Sequence, residues 1–253
     1  MKRHAIFVSS GRSCYMHDQF LKEAEKRNVI LHNYWEYDGD ADFTLNREYY
    51  DRHIREQKGV QINRMVDGIF WRDKKRQLDV LNTVCPKPDY VIGNGFDYQY
   101  LVNRLGIPFI AKESISSLGK GVFMIKSKAD YDNAKHCDIF EEVVWDSYGK
   151  DVRVYCIGGK VVRCMLRQND GNFRSNFHQG GVGSIYNINS DIIEIAGKIY
   201  EQTNLDVMGI DLMLDKKGYV FCELNTNPGF EEMDRVHSCS TAGDILDLCL
   251  SKV

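Results

Sequence analysis

Four prolines in 253 residues leave no proline-rich linker, and neither an internal repeat nor a low-complexity stretch divides the chain. The eight cysteines, at 14, 85, 137, 156, 164, 222, 239 and 249, never form a Cys-x-x-Cys pair, which argues against a zinc site. Cys156, Cys164 and Cys222 fall inside apolar, strand-like runs, where a free thiol packs as a small hydrophobe. Reduced thiols and a cytoplasmic location are therefore expected. No apolar run is long enough to span a bilayer. The run after the basic start Met1-Lys2-Arg3-His4 extends only from Ala5 to Val8, too short for the core of a signal peptide, so no membrane partner is expected. Excess positive charge is also missing: the formal net charge is −3, which leaves no nucleic-acid footprint. The cluster Arg72, Lys74, Lys75 and Arg76 is short enough to be a solvated helix face. No Gly-x-x-x-x-Gly-Lys-Ser/Thr phosphate loop occurs.

What is present gathers in the last quarter. Two strand-like runs, Gly209-Ile210-Asp211-Leu212-Met213 and Val220-Phe221-Cys222-Glu223-Leu224-Asn225, flank the turn Asp215-Lys216-Lys217-Gly218. Side chains alternate along a strand, so Glu223 and Asn225 share one face while Cys222 and Leu224 take the other. Folding about the turn brings Asp211 opposite Glu223. Charged residues are disfavoured in apolar strand centres without a partner, so two carboxylates and an amide oxygen converging there point to a hard cation such as Mg²⁺. The loop Asn227-Pro228-Gly229 then ends the strand beside that site.

Elsewhere the pattern predicts strands over 5–9, 29–35, 89–92, 108–112, 122–125 and 139–145, and a hairpin of 151–157 with 160–167 about Gly158-Gly159. Helices are predicted over 18–27, 73–81, 97–105 and 191–202, and from 242 onward. Residues 38–58 read as a helix with a long approach loop, and 169–184 as a long flexible loop without periodicity.

Lys112 ends a strand and is followed by Ser114-Ile115-Ser116-Ser117-Leu118-Gly119-Lys120-Gly121. Such a loop can lay backbone N–H groups over phosphates, although a hairpin turn rich in Ser and Gly is the commoner explanation for such a string. Phe140-Glu141-Glu142-Val143-Val144 puts two carboxylates in an apolar run, either as an adenine-binding backbone segment or as a solvated edge strand. The loop Asn172-Phe173-Arg174-Ser175-Asn176-Phe177-His178 lies near glycine hinges and can close over an anion. His178 is a weak candidate base, since a lone loop histidine more often only hydrogen-bonds at the surface. Arg153 and Arg167 precede the loop and suit bidentate recognition of phosphate or carboxylate, with one of them available as a structural ion pair.

In order and spacing these motifs resemble the ATP-grasp carboxylate–amine ligases, most closely the RimK type, over roughly the last three quarters of the chain. The carriers are Arg72-Asp73-Lys74, Lys112, Glu141-Glu142-Val143, Asp151-Val152-Arg153, Phe173-Arg174-Ser175-Asn176 with Gly180-Gly181, Gly209-Ile210-Asp211, and Glu223-Leu224-Asn225 with Asn227-Pro228-Gly229. The resemblance implies an α/β (α+β) chain with the ATP-grasp fold: a short N-terminal lobe over 1–72, a small lobe with the phosphate loop over 73–140, and a C-terminal lobe with the metal over 141–253. It implies that Lys74 and Lys112 contact ATP phosphates, and that the loop with Ser117, Gly119 and Gly121 covers them. Glu141, Glu142, Val143 and Val144 would hold the adenine, with Asp151 near the ribose and Arg174, Ser175 and Asn176 closing over the nucleotide. Asp211, Glu223 and Asn225 would ligate Mg²⁺, for which Mn²⁺ can substitute. Three departures stand out: a shortened first lobe, Lys120 where a small or apolar residue is usual, and Val143 where an aromatic is frequent.

The implied activity is activation of a carboxylate as an acylphosphate and its capture by an amine, with Arg167, and less so Arg153 or Arg174, stabilising the transferring phosphoryl group. The partners implied are a carboxylate and an amine, small-molecule or peptide; a homo-oligomer is allowed. A small-molecule kinase on the same scaffold, or an ATP-binding module without chemistry, are the alternative readings.

Overall fold

The computed structural model describes residues 2–9, 14–49, 58–81, 83–117 and 119–253, and of His178 only the backbone. The chain opens with β1 (Arg3–Val8), α1 (Tyr15–Lys26) and β2 (Val29–Asn33), followed by β3 (Phe43–Asn46), β4 (Val60–Ile62), α2 (Met65–Trp71) and α3 (Lys74–Val80). The four strands form a parallel sheet in the order β2-β1-β3-β4. Strand β3 replaces the helix expected within 38–58: Phe-Thr-Leu-Asn is fully buried on both faces, as a central parallel strand requires. Residues 50–57 of that expectation lie outside the described residues.

The second lobe comprises β5 (Tyr90–Ile92), α4 (Tyr98–Leu105), β6 (Phe109–Lys112), β7 (Val122–Ile125), α5 (Lys128–Asn133) and β8 (Ile139–Glu142). Its sheet is antiparallel, ordered β5-β8-β6-β7. The expected strand over 139–145 stops at Glu142 because Val144 turns into a short 3₁₀ segment, Trp145–Ser147.

The third sheet, β11-β10-β9-β12-β13, is built from β9 (Lys150–Ile157), β10 (Lys160–Gln168), β11 (Val182–Ile185), β12 (Val207–Asp215) and β13 (Gly218–Asn225). Helix α6 (Ser190–Thr203) precedes β12; α7 (Glu231–His237) and α8 (Thr241–Ser251) close the chain. The end of the loop expected over 169–184 is therefore a strand: β11 pairs antiparallel with β10, Arg167 facing Gly183. Helix α7 went unforeseen because its seven residues are mostly charged and polar. No helix among the described residues is long and apolar enough to cross a membrane.

The first and third lobes share a core. Phe20 of α1 meets Phe230 edge-on at 5.6 Å, and Ile245 and Leu246 of α8 are buried in the same cluster. Asn63, in the left-handed region at φ +51, ties these lobes together. Its amide donates to the carbonyls of Val207 (2.6 Å) and Thr226 (3.0 Å), and its Oδ1 accepts from Val207 N–H (2.9 Å). Asn63→Ala leaves these buried groups unpaired, and a loss of about 3 kcal/mol is expected. Urea unfolding tests it: an unchanged midpoint would mean that water replaces the amide without loss.

Candidate active site

A cleft, about 910 Å³ with the solvent-open space at its mouth included, lies between the second and third sheets. Its lining includes Lys74, Lys112, Ser117, Gly119, Glu141, Glu142, Val143, Val144, Asp151, Arg174, Ser175, Asn176, Asp211 and Glu223. Of the residues singled out by sequence, Gly121, Arg153, Arg167 and Asn225 are not in that lining.

Asp73 caps α3 by accepting from Lys75 N–H at 2.9 Å, which starts the helix so that Lys74 enters the cleft. Lys74 Nζ donates to Ser116 O at 2.9 Å and lies 3.7 Å from Glu223 Oε2, joining the Ser/Gly loop to the hairpin. One turn further, Gln77 clamps α3 to β13 through Leu224 N–H (2.8 Å) and O (2.8 Å). Lys112 is buried, and its Nζ sits 2.5 Å from Glu141 Oε2. Burial opposes the ammonium charge, but Glu141 outweighs it and raises the pKa above the usual lysine value. Glu141 thus faces inward. Glu142 is exposed, its carboxylate accepting from Asp89 N–H at 2.9 Å.

Gly119 has φ +70, and a Cβ there would lie 2.8 Å from Asn176 Oδ1 and 3.3 Å from Arg174 Cδ. The Ser/Gly loop and the Arg174-Ser175-Asn176 loop therefore face each other across a distance that only glycine permits. Arg174 donates to Val122 O from Nη2 and stacks on Phe173, its guanidinium 4.4 Å from the ring centroid. Burial lowers its pKa. Leu118 lies outside the described residues, as does the side chain of His178.

Strand register explains the charged floor. β12 and β13 pair Asp211 with Glu223, the neighbours expected from folding about the turn, through a one-residue bulge. β12 also lies antiparallel to β9, with Asp211 facing Arg153, and β9 to β10, with Asp151 facing Arg167. Charged residues therefore occupy two nearby rows of the sheet, Glu223–Asp211–Arg153 and Asp151–Arg167, which together span four strands. Arg153 donates to both Asp211 oxygens, with Nη2 2.8 Å from Oδ2. Arg167 reaches both Asp151 oxygens (2.7 and 2.6 Å) and Asp211 Oδ2 (2.9 Å). Burial pushes the Asp211 pKa upward, but Arg153 and then Arg167 outweigh it and hold the pKa at about 2. The same pairing holds Arg167 well above the usual guanidinium value despite its burial.

The register corrects one expectation. A bulge lies between the pairs Asp211–Glu223 and Leu212–Phe221, so Cys222 is the extra residue. It lines the cleft on the same side as Glu223 instead of the opposite one. Burial raises its thiol pKa to about 12, so it serves as an apolar wall with Met213, Met124 and Ile110. These wall residues carried no polar signal in the sequence.

The donor set suits a hard cation. Asp211 Oδ1 receives a single N–H, from Arg153 Nε, which leaves that oxygen one lone pair. Among the described residues Glu223 makes only long contacts, 3.7 Å to Lys74 and 3.2 Å to Asn225. The Asn225 amide turns Nδ2 toward both carboxylates, and a flipped amide presents Oδ1 instead. Among the described residues no group of three or more His, Cys, Asp or Glu gathers, so the hairpin offers two carboxylates and an amide. That set suits Mg²⁺, which keeps waters and shares phosphate oxygens.

Three sheets, with a cleft between the antiparallel second and third ones, define an ATP-grasp protein. The solved structure of the ATP-grasp ligase PsnB complexed with minimal precursor superposes with a TM-score of 0.76 over 100% of both chains at 14% identity. The chain belongs to the RimK-like ATP-grasp family, whose model matches residues 72–249. It is 33% identical over 178 residues to beta-citrylglutamate synthase B of Danio rerio, covering 66% of this chain and 44% of that protein. It is 29% identical over 206 residues to a probable alpha-L-glutamate ligase of Haemophilus ducreyi, covering 77% of this chain and 67% of that protein. The chain thus matches less than half the length of the synthase.

Proposed function

We propose that the protein is an ATP- and Mg²⁺-dependent ligase that activates a carboxylate as an acylphosphate and joins it to an amine. The observation that carries this reading is the juxtaposition of Asp211 and Glu223 with the lysines of the cleft, Lys74 at 3.7 Å from Glu223. The names of the relatives, a citrylglutamate synthase and a glutamate ligase, support glutamate as amine and a small polycarboxylate or peptide terminus as carboxylate.

In this reading Asp211, Glu223 and the flipped Asn225 amide hold the metal, which when bound neutralises charge on the phosphate oxygens. Lys74 and Lys112 balance the other side of the triphosphate. Val143 and Val144 would present backbone groups to the base, and Met213, Met124 and Cys222, which line the cleft, would give it an apolar wall. The carboxylate oxygen attacks the γ-phosphorus; ADP leaves. The amine then attacks the acyl carbon and phosphate leaves. Arg167 is placed by Asp151 and Asp211 with no freedom to reorient, which is what preorganised stabilisation of developing charge needs. The paired loops around Gly119 and Asn176 exclude water while the acylphosphate exists.

The test is ADP release with ATP, Mg²⁺, L-glutamate and citrate or a short peptide, offered singly and in pairs. ADP is expected only with a pair, together with a product one water lighter than the sum. A stable phosphorylated product formed without amine would replace the ligase by a kinase.

A further inference from the structure

The charged rows of the third sheet do not end at Arg167. Its partner in register on β11 is Gly183, which has no side chain to continue the row. Helix α7 fills the gap. A Cβ on Gly183 would lie 2.8 Å from Glu232 Oε1 and 2.5 Å from Met165 Sδ, so the carboxylate occupies the space that any other residue at 183 would take. Gly183 N–H donates to it. The groups facing Glu232 are Arg167 from β10, Arg153 from β9 and Arg235 from its own helix.

The other carboxylates along these rows are committed. Asp151 is held bidentately by Arg167, Asp211 sits between two guanidinium groups, and Glu223 belongs to the proposed metal set. Glu232 is half-buried and borders Arg167 on the β11 side of the sheet, opposite the edge that carries Glu223. An amine arriving as an ammonium ion must lose a proton to an acceptor before it attacks.

We propose that Glu232 is the general base that receives the amine substrate in this ligase, a role that rests on the ligase reading above. The ammonium gives one proton to a Glu232 oxygen, and the freed nitrogen lone pair forms the C–N bond at the acyl carbon. The acyl C–O bond to phosphate breaks with its electron pair on the phosphate oxygen. The second proton leaves with phosphate, and the protonated carboxyl returns its proton to water. Burial raises the Glu232 pKa above the ordinary glutamate value, ahead of the opposing effect of Arg167, which moves it toward the range where a base works near neutrality.

Hydroxylamine separates the two half-reactions, because it is already neutral near pH 7 and traps an acylphosphate without a base. The wild type and Glu232→Gln are assayed with ATP, Mg²⁺ and citrate or a short peptide, against either hydroxylamine or L-glutamate. The variant is expected to keep hydroxamate formation within about threefold. It is expected to lose amide formation by about 10²-fold and to lose the rise of rate with pH that deprotonation of the base gives the wild type. Glu232→Asp should restore part of that rise. Equal loss of hydroxamate and amide, or undiminished amide formation, overturns the assignment while leaving the ligase intact. Wild-type protein that forms no hydroxamate and no ADP overturns the ligase reading itself.

Discussion

The Asp211→Asn variant will form no measurable ADP and will unfold at a markedly lower denaturant concentration than the wild type. Both effects follow from one environment. Asp211 is 1% exposed and, among the described residues, is the carboxylate with which Arg153 forms its ion pair; Arg167 shares it with Asp151. An amide there turns an NH₂ group toward guanidinium N–H groups and leaves the buried Arg153 without its ion-pair partner. Breaking one side of a buried pair in this way typically costs about 3–5 kcal/mol, a large share of a domain's total stability. The variant alone therefore cannot separate a lost metal ligand from a damaged floor. Glu223→Gln does. Its carboxylate is about a quarter exposed and, among the described residues, has only the long contacts to Lys74 and Asn225. A change of less than about 1 kcal/mol is expected from so screened a group, together with a loss of roughly 10²- to 10³-fold in ADP formation. Chemical unfolding and ADP release on both variants check the contrast. Full activity in Glu223→Gln would remove Glu223 from the metal set.

The hairpin at the heart of this prediction was legible because its elements are neighbours in sequence. A turn of two lysines between alternating strands brings Asp211 to the level of Cys222 and Glu223, and the bulge then selects Glu223 as its partner. The pairing of β12 with β9 was not legible, because more than fifty residues separate Arg153 from Asp211 and no local pattern encodes which strand lies beside which. Arg153 and Arg167 could thus be recognised as anion-binding types but not as the two sides of one aspartate. The bulge at Cys222 was hidden for a related reason: it is a property of the pair of strands, not of either one. Strand β3 was masked by the polar residues around it, and β11 by glycines that read as loop. Gly183 in β11 gives room to Glu232, a residue on a helix too short and too polar to announce itself. The ATP-grasp architecture itself was accessible through several spaced motifs at once.

Arg167→Met is expected to reduce ADP formation by about 10²- to 10³-fold, the usual effect of removing one preorganised donor from developing charge. It should also destabilise the fold by several kcal/mol, because Asp151, 7% exposed, loses both of its guanidinium hydrogen bonds. The two losses have different origins and can be pulled apart. In Arg167→Met/Asp151→Leu the pair is replaced by apolar side chains, and such replacements are often close to neutral for stability. Asp211 keeps Arg153 in that background, so the floor retains a paired charge. The double variant should therefore regain most of the stability of the wild type and none of the rate, with the cycle showing strong coupling in unfolding. If rate returned together with stability, Arg167 would serve only to hold Asp151 and the sheet in place. If neither returned, the cleft would depend on Asp151 itself, and ATP binding measured separately on Asp151→Asn would show a matching loss.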